Sequence, residues 1–498
     1  MAESKPELAG SLKDIISHAK EYGFVFPSSE IYDGLQAVYD YGQTGVELKN
    51  NLKTLWWKAM TLLHDNVVGI DAAIFMHPLT WKASGHVDSF NDPMIDNRDS
   101  KKRYRADTLL EDRAAQYEAE GQPETSKALL QEMARALDGG DLEAVRQLIV
   151  RENITCPISG TANWTEVRQF NLMFSTQVGA VSEDASTIYL RPETAQGIFV
   201  NFLNVQKTGR MKVPFGIAQI GKAFRNEIVA RQFIFRMREF EQMEMQFFVR
   251  PGTEMEWYER WKQTRMKFHQ AIGLPAAKLK FHDHDKLAHY ANAAVDIEYE
   301  FPFGFKEIEG IHSRTDFDLR NHQELSKKKQ QYFDNDPDPA TGKPYGNYIP
   351  YVVETSVGAD RLFLATLCNA YTEETVGEGT EQKTRTYLRL HPAVAPVKAA
   401  ILPIVKKDGL PEKAREIVDQ LKHEFKVFYE ERDTIGKRYT RQDLIGTPFC
   451  VAVDYQTLQD QTVTIRHRDT TEQERVPIAE LKSRIGYAVA PERVLEQL

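Results

Sequence analysis

Arginines, carboxylates and amides recur in this chain at the two-residue spacing of a β-strand, where alternate side chains share a face. In the run 233–249, Arg236, Arg238, Phe240, Gln242, Glu244 and Gln246 have one parity. Met243, Met245 and Phe247 have the other, which reads as the core side. The run 216–228 places Gln219, Arg225 and Glu227 together, and 348–356 does the same for Val352, Glu354 and Ser356. After Gly358 a helix opens with Ala359, Asp360 and Arg361. Free N–H groups at a helix start, beside a permanently charged guanidinium, suit an anionic ligand. Each polar face reads either as solvated surface or as the floor of a site. Three such faces are harder to dismiss than one, but the two readings stay evenly matched and the pattern does not name a ligand.

Other chemistries find less support. There is no GxxxxGK[ST] loop for a P-loop ATPase and no GxGxxG opening a helix after a strand. His282, Asp283 and His284 could ligate a metal, but the sequence shows no partner cluster, and a surface or packing role is the better reading. Cys156-Pro157-Ile158-Ser159-Gly160 is half of a zinc knuckle with serine at the second cysteine position, so no structural zinc is expected. Only three cysteines, Cys156, Cys368 and Cys450, are scattered along the chain, which argues against a disulfide framework, and a cytoplasmic protein is expected. With 498 residues, 42% hydrophobic, the chain has material for two to four domains. It lacks both a membrane-length apolar run and a secretory h-region. Net charge is -9, yet the last 108 residues carry as many basic as acidic groups, which permits RNA binding there.

These residues must be positioned by recognisable elements. Residues 11–65 read as helix, turn, helix, the second being Val46–Leu63 with an apolar stripe at Val46, Leu48, Leu52, Leu55 and Ala59. Residues 107–152 read as two short helices around Gly139-Gly140, with Asp141 as N-cap, forming a helical insertion. The runs 186–190, 216–228, 233–249, 295–301 and 348–356 are strand-like with short links, which predicts an antiparallel sheet. The second and third make a hairpin with a charged tip at Ala230-Arg231-Gln232. Residues 371–386 are polar and mark a domain boundary. Beyond it, strands at 397–405, 449–454 and 461–467 alternate with helices at 411–429 and 477–485, a separate α/β domain with a mixed sheet. There Lys437, Arg438, Tyr439 and Arg441 cluster in a loop or turn, either a solvated basic turn or a contact for phosphates and an unpaired base.

The motifs then resemble a known family. Phe224-Arg225-Asn226-Glu227 with Phe235-Arg236-Met237-Arg238-Glu239-Phe240 is similar to motif 2 of class II aminoacyl-tRNA synthetases, and Gly358-Ala359-Asp360-Arg361 to motif 3. The strings at 32–51, 84–96, 102–107, 189–202, 238–248, 312–319 and 354–361 resemble, in order, the homodimeric glycyl-tRNA synthetases, and 391–403 with 436–454 resemble an anticodon-binding domain. Gln43 and Thr44 depart from that family, which usually has proline in the motif 1 turn.

The resemblance implies an α+β fold. A class II antiparallel-sheet catalytic domain, flanked by helices, occupies 1–106 and 153–385. The helical insertion occupies 107–152, and a C-terminal α/β anticodon-binding domain with a mixed sheet occupies 386–498. It implies ATP-dependent attachment of glycine to tRNA(Gly) by a homodimer, with Mg2+ and no membrane association. Arg225 and Arg361 would be catalytic. ATP would be held by Arg225, Asn226, Glu227, Phe235, Arg236, Met237, Arg238, Glu239, Phe240, Glu307, Ile308, Gly358, Ala359, Asp360 and Arg361, with Glu307 also on magnesium. Glycine would be bordered by Arg105, Glu193, Phe240, Glu241, Gln242, Met243, Glu244, Arg314, Glu354, Thr355, Ser356, Val357 and Gly358, and tRNA by Lys437, Arg438, Tyr439 and Arg441. Crowded carboxylates there should raise at least one pKa. The rival readings are a catalytically silent paralogue acting as a dimeric binding subunit, which typically loses the motif arginines, and a class II enzyme for another amino acid.

Overall fold

The parity of Met243, Met245 and Phe247 against Gln242, Glu244 and Gln246 needs a sheet with two different faces, and the chain builds one. In the computed structural model, which describes residues 10–179, 186–228, 232–284, 287, 290–376 and 382–498, two units are present. The first comprises Met1–Ala73, Glu193–Lys222 and Phe240–Leu498; the second comprises Ile74–Pro192 and Ala223–Glu239.

The elements around the central sheet are, in chain order, α1 (Gln43–Thr61), β1 (Val67–Gly69), α2 (Ala195–Thr208), β2 (Phe215–Phe224), β3 (Glu239–Val249), α3 (Glu254–Ala271), β4 (Leu279–Asp283), β5 (Ala293–Phe301), β6 (Gly304–Thr315), α4 (Phe317–Ser326), β7 (Tyr351–Gly358) and α5 (Ala359–Ala370). The strand order is β4-β5-β6-β7-β3-β2-β1. The pairings of β4 with β5, β5 with β6, β6 with β7 and β7 with β3 are antiparallel, and edge strand β1 runs parallel to β2. One face packs on α3, where the Phe247 ring meets Trp257 at 4.7 Å and Trp261 at 5.3 Å. On the same face Glu309 receives Arg265 Nε at 2.6 Å and meets His269 Nε2 at 2.6 Å. The other face is polar in the middle. At one end it is closed by α2, whose Ile198, Phe199 and Phe202 share a core with Phe248 and Val352.

Several sequence expectations are corrected here. The strand β6 was missing from them, because Glu307, Glu309, His312 and Arg314 hide its apolar signal. The hairpin strands are shorter than expected. β2 ends at Phe224, so Arg225–Glu227 leave the sheet, and a 3-10 turn at Phe233–Phe235 precedes β3. Phe233, Ile234 and Phe235 are all buried, which a strand's alternation does not allow on one face. Of the expected hairpin tip, Ala230 and Arg231 lie outside the described residues. The helix expected from Val46 begins at Gln43, so Gln43 and Thr44 form its first turn, and Val46 is exposed. Gly45 holds this helix against the preceding turn. A Cβ there would lie 1.9 Å from the carbonyl oxygen of Phe24, so no side chain fits.

In the second unit, residues 107–152 form parts of three helices, not two: Ala106–Ala119, Pro123–Asp138 and Leu142–Arg151. Asp141 caps the last by accepting from Ala144 N–H. Their core runs from Ile95 to Val167 and includes the strands that flank the helices. The C-terminal part of the first unit has the expected mixed sheet, in the order Val427–Tyr429, Ala399–Pro403, Phe449–Val453, Thr462–His467, Gln473–Pro477. The helix expected at 411–429 is Leu410–Leu421, and its last residues form a strand instead. The strand expected at 397–405 is trimmed to Ala399–Pro403, and the helix expected from 477 starts at Leu481. The segment read as a loop or turn around Lys437 is a helix, Ile435–Ile445. Among the described residues no helix is long and apolar enough to cross a membrane.

One buried charge cluster ties α1, β3 and α5 together. Lys49 Nζ lies 2.7 Å from Asp360 Oδ1 and 2.7 Å from Glu241 Oε2, and Lys53 Nζ lies 3.0 Å from Glu241 Oε1. The Tyr41 hydroxyl and the Glu241 N–H also donate to Asp360. Burial pushes the Glu241 carboxyl up, but Lys49 and Lys53 outweigh it and hold its pKa at about 2. Breaking a buried ion pair from one side costs about 3 kcal/mol or more. Lys49→Met should lower the urea-unfolding free energy by that order; an unchanged midpoint and slope would show that the cluster does not hold the three elements.

Candidate active site

The polar face of the sheet collects the first group of expected site residues through register. β3 and β7 pair Glu244 with Ser356 and Gln246 with Glu354, and β6 pairs His312 with Glu354. Arg314, on β6, is buried, with Nη1 2.9 Å from Glu354 Oε2 and Nε 2.9 Å from Asp318 Oδ2. Its guanidinium carbon lies 4.2 Å from the centre of the Tyr290 ring. Glu354 also accepts from Gln246 Nε2 at 2.6 Å, and its Oε1 lies 2.9 Å from His312 Nδ1.

Glu244 is equally buried, but among the described residues it meets no cation at bonding distance. It accepts from the hydroxyls of Thr194 and Ser356, the latter at 2.7 Å, and from Gln242 Nε2 at 3.2 Å. Burial, then the neighbouring Glu354 and Glu193 charges, push its pKa up to about 8. Glu354 feels the same burial, but Arg314 and His312 hold it at about 2. The expectation that crowding raises one carboxyl is met by Glu244. Beside it, Gln242 Oε1 is a buried acceptor with no donor among the described residues. Glu193 sits at the rim, accepting from Gln196 Nε2 at 3.0 Å. A buried carboxyl with a raised pKa next to an unanswered amide oxygen is a site for a small ligand that brings its own N–H donors and positive charge.

The parity of the strands removes part of the expected pocket. The side chains of Met243, Thr355 and Val357 are fully buried on the α3 side of the sheet, away from Glu244 and Glu354. Glu241 is committed to Lys49 and Lys53, and Asp360 to Tyr41 and Lys49. Gln219, read as part of the polar face, spends its amide on backbone, accepting from Ala72 N–H at 2.8 Å and donating to the Thr194 carbonyl at 3.3 Å. Ile308 is fully buried. Near the start of α5, Arg361 Nη1 lies 2.8 Å from Glu307 Oε2. Thr194, Gln196, His312 and Asp318 were not singled out from the sequence; all four lie inside the strings quoted above, where only a contact could distinguish them. Tyr290 had no signal of its own.

The second unit gathers the remaining arginines. Arg225 donates from Nε to the Pro192 carbonyl at 3.1 Å, with its guanidinium 5.5 Å from the centre of the Phe90 ring. Its backbone N–H donates to the Arg238 carbonyl at 2.9 Å, and Arg238 Nε donates to the Glu227 carbonyl at 2.9 Å. Arg236 lies 3.9 Å from Glu227, and Arg105 lies 2.5 Å from Asp107 and 3.2 Å from Asp92. Phe235 and Met237 are buried. Cys156 and Ser159 stand in a hydrogen-bonded set. Tyr104 Oη lies 3.1 Å from Cys156 Sγ, and the Ser159 hydroxyl donates to Asn97 Oδ1 at 3.0 Å.

On the Ile435–Ile445 helix, Arg438 is buried. Its guanidinium donates to the carbonyls of Pro403, Glu430 and Ile404 at 2.7, 3.1 and 3.2 Å. This side chain is spent on the protein's own backbone. Lys437 is exposed, and Arg441 is paired with Glu430 and Asp433 at the surface.

A family model described as an anticodon binding domain matches residues 398–486, and one described as glycyl-tRNA synthetase insertion domain 1 matches residues 92–129 and 123–172. The chain is 54% identical to a glycine–tRNA ligase of Chlorobaculum tepidum, over 93% of this chain and 97% of that protein. It is 52% identical to those of Treponema denticola and Staphylococcus aureus, over 95% and 96% of this chain and 96% and 98% of theirs. A crystal structure of prolyl-tRNA synthetase from Cryptosporidium parvum, complexed with halofuginone and AMPPNP, shares the fold. Its TM-score is 0.61 at 13% identity, over 99% of this chain and 79% of that one.

The raised Glu244 carboxyl has a pH signature. Above the ordinary glutamate value of 4.5, the folded chain keeps a proton on Glu244 that the unfolded chain has lost. The stability from this group is therefore complete below 4.5 and is lost as pH rises towards about 8. Glu244→Gln has no such proton to lose. Its urea-unfolding free energy should gain on the wild type across that window, by at most about 1.4 kcal/mol per pH unit. Parallel profiles for the two proteins would rule out a raised carboxyl.

Proposed function

The chain belongs to the glycine–tRNA ligase family, and we propose that it attaches glycine to tRNA(Gly) in an ATP-dependent reaction through a glycyl-adenylate. The observation that carries this reading is Glu244, a buried carboxyl that among the described residues has no cation at bonding distance, beside Gln242 Oε1, which has no donor among them. The glycine ammonium supplies both the charge and the N–H donors that this corner lacks. Glu354 and Glu193 add negative potential. Ser356 and Thr194 already occupy Glu244, and a larger amino acid would have to add its side chain beside them; overpacking of that kind costs about 1–3 kcal/mol.

In the first step a glycine carboxylate oxygen attacks the α-phosphorus of ATP, and the bond to the β-phosphate oxygen breaks to release pyrophosphate. In the second, a ribose hydroxyl of the tRNA terminus attacks the activated carbonyl and AMP leaves. Both steps are governed by position and charge neutralisation. By the family's motifs, Arg225 is assigned to the α-phosphate and the glycine carboxylate, Arg361 to the γ-phosphate, and Arg236, Arg238, Glu227 and Phe240 to the rest of the nucleotide. A planar guanidinium that keeps its proton suits phosphate. The part-exposed carboxylate of Glu307 would hold magnesium brought with the nucleotide, which would supply neutralisation of phosphate charge.

A dimer is part of the proposal, supported by the exposed Ile31, Tyr32 and Leu35 that precede α1. A cytoplasmic location is proposed on the three free cysteines. Residues 386–498 are proposed to read the anticodon, with Lys437 and Arg441 rather than the buried Arg438 facing RNA. ATP–pyrophosphate exchange without tRNA, run with each of the twenty amino acids, should proceed with glycine alone. Glu354→Ala and Arg361→Ala should each lower it by about 100-fold or more. Arg441→Ala should weaken tRNA binding while leaving exchange unchanged. Exchange with another amino acid would discard the pocket, and none from folded protein with magnesium would favour a silent paralogue.

A further inference from the structure

The pair His282 and His284 found no metal partners in the sequence; for His284 the fold supplies two. β5 sets Asp296 opposite Gly310 of β6, and His312 stands two residues further along β6 on the same face. His284, just past β4, places Nε2 2.9 Å from Asp296 Oδ2. One ligand atom from each of His284, Asp296 and His312 lies within 4.8 Å of the others, and among the described residues this is the only such grouping of three. Their side chains are 31%, 15% and 18% exposed, which leaves an ion a path to them.

Two further features fit a metal. His312 Nδ1 is held by the Glu354 carboxylate, the arrangement that orients metal-binding histidines and leaves Nε2 for the ion. Gly310 is the floor. A Cβ there would lie 3.3 Å from His312 Nε2 and 3.5 Å from Asp296 Oδ1, so both atoms border the space that glycine keeps open. We propose that His284, Asp296 and His312 bind one divalent first-row transition ion, with zinc the best match to two imidazoles and a carboxylate and a fourth position left to water. Magnesium, which takes oxygen ligands, is the poorer fit to two imidazoles, although Asp296 lies near enough to Glu307 to feel its charge. On the reading of Glu354 as part of the glycine pocket, an ion on His312 acts on glycine binding through the His312–Glu354 contact.

The full-length protein, stripped with a chelator, is titrated with Zn2+ by calorimetry and with Co2+ by absorption. The expected result is one saturable ion per chain. Its Co2+ spectrum should show nitrogen and oxygen ligands without a thiolate band. Affinity should fall roughly tenfold or more in both His284→Ala and Asp296→Asn. No saturable binding by folded wild type, a thiolate spectrum, or unchanged affinity in both variants overturns the site. A glycine KM unmoved by saturating Zn2+ in the exchange assay overturns the link to Glu354, while the direct titration judges the site without reference to activity.

Discussion

Arg314 is a full positive charge held out of water, and the pocket is arranged around neutralising it. Taking a guanidinium into a protein interior costs several kcal/mol unless partners replace its hydration. Asp318 in the first turn of α4 and Glu354 on β7 are those partners, both within 3 Å. Each must arrive from a different element. The arrangement therefore depends on β6 lying beside β7 and on α4 following β6 directly. Once Arg314 is satisfied, Glu354 stays ionised and Glu244 is left with hydroxyl and amide donors. The imbalance makes the corner receptive to a cation, because a third buried carboxyl has no internal counter-charge.

The two faces of the sheet solve the problem of buried charge in different ways. Towards α3, Glu309 is matched inside the protein by Arg265 and His269. At the junction of α1, β3 and α5, Lys49 stands between Asp360 and Glu241. These charges are structural: each has its counter-ion in the chain. On the opposite face the match is incomplete, and incompleteness is what separates a binding site from a buried ion pair.

The helix Ile435–Ile445 shows how such burial hides an element. Its buried side chains are Arg438, Gln442 and Asp443, so it has no apolar stripe to reveal a 3.6-residue period. Arg438 closes on carbonyls at the end of the Ala399–Pro403 strand and beyond, giving acceptors there a donor. The same disguise covers β6, whose pocket-facing residues are polar because they are paired across strands.

The amino-acid sequence by itself determined the motifs, the core parity of β3 and β7, the helix that follows Gly358, and the change to a mixed α/β domain near the C-terminus. The motifs were legible by resemblance, and the parity and the helix start by local backbone geometry, since alternation along a strand and the start of a helix involve neighbours only. It also marked Glu193, Glu244, Arg314 and Glu354 through the strings that contain them. Tertiary structure alone decided which of the polar residues find a counter-charge. Arg314 and Glu354 are 40 residues apart, Gln246 and Glu354 108 apart, and Lys49 and Asp360 311 apart. Whether a carboxylate is an internal counter-ion, as Glu241 is, or an unbalanced group, as Glu244 is, depends on what packing brings within 3 Å and how much water it removes. Neither quantity is a property of nearby residues in the chain.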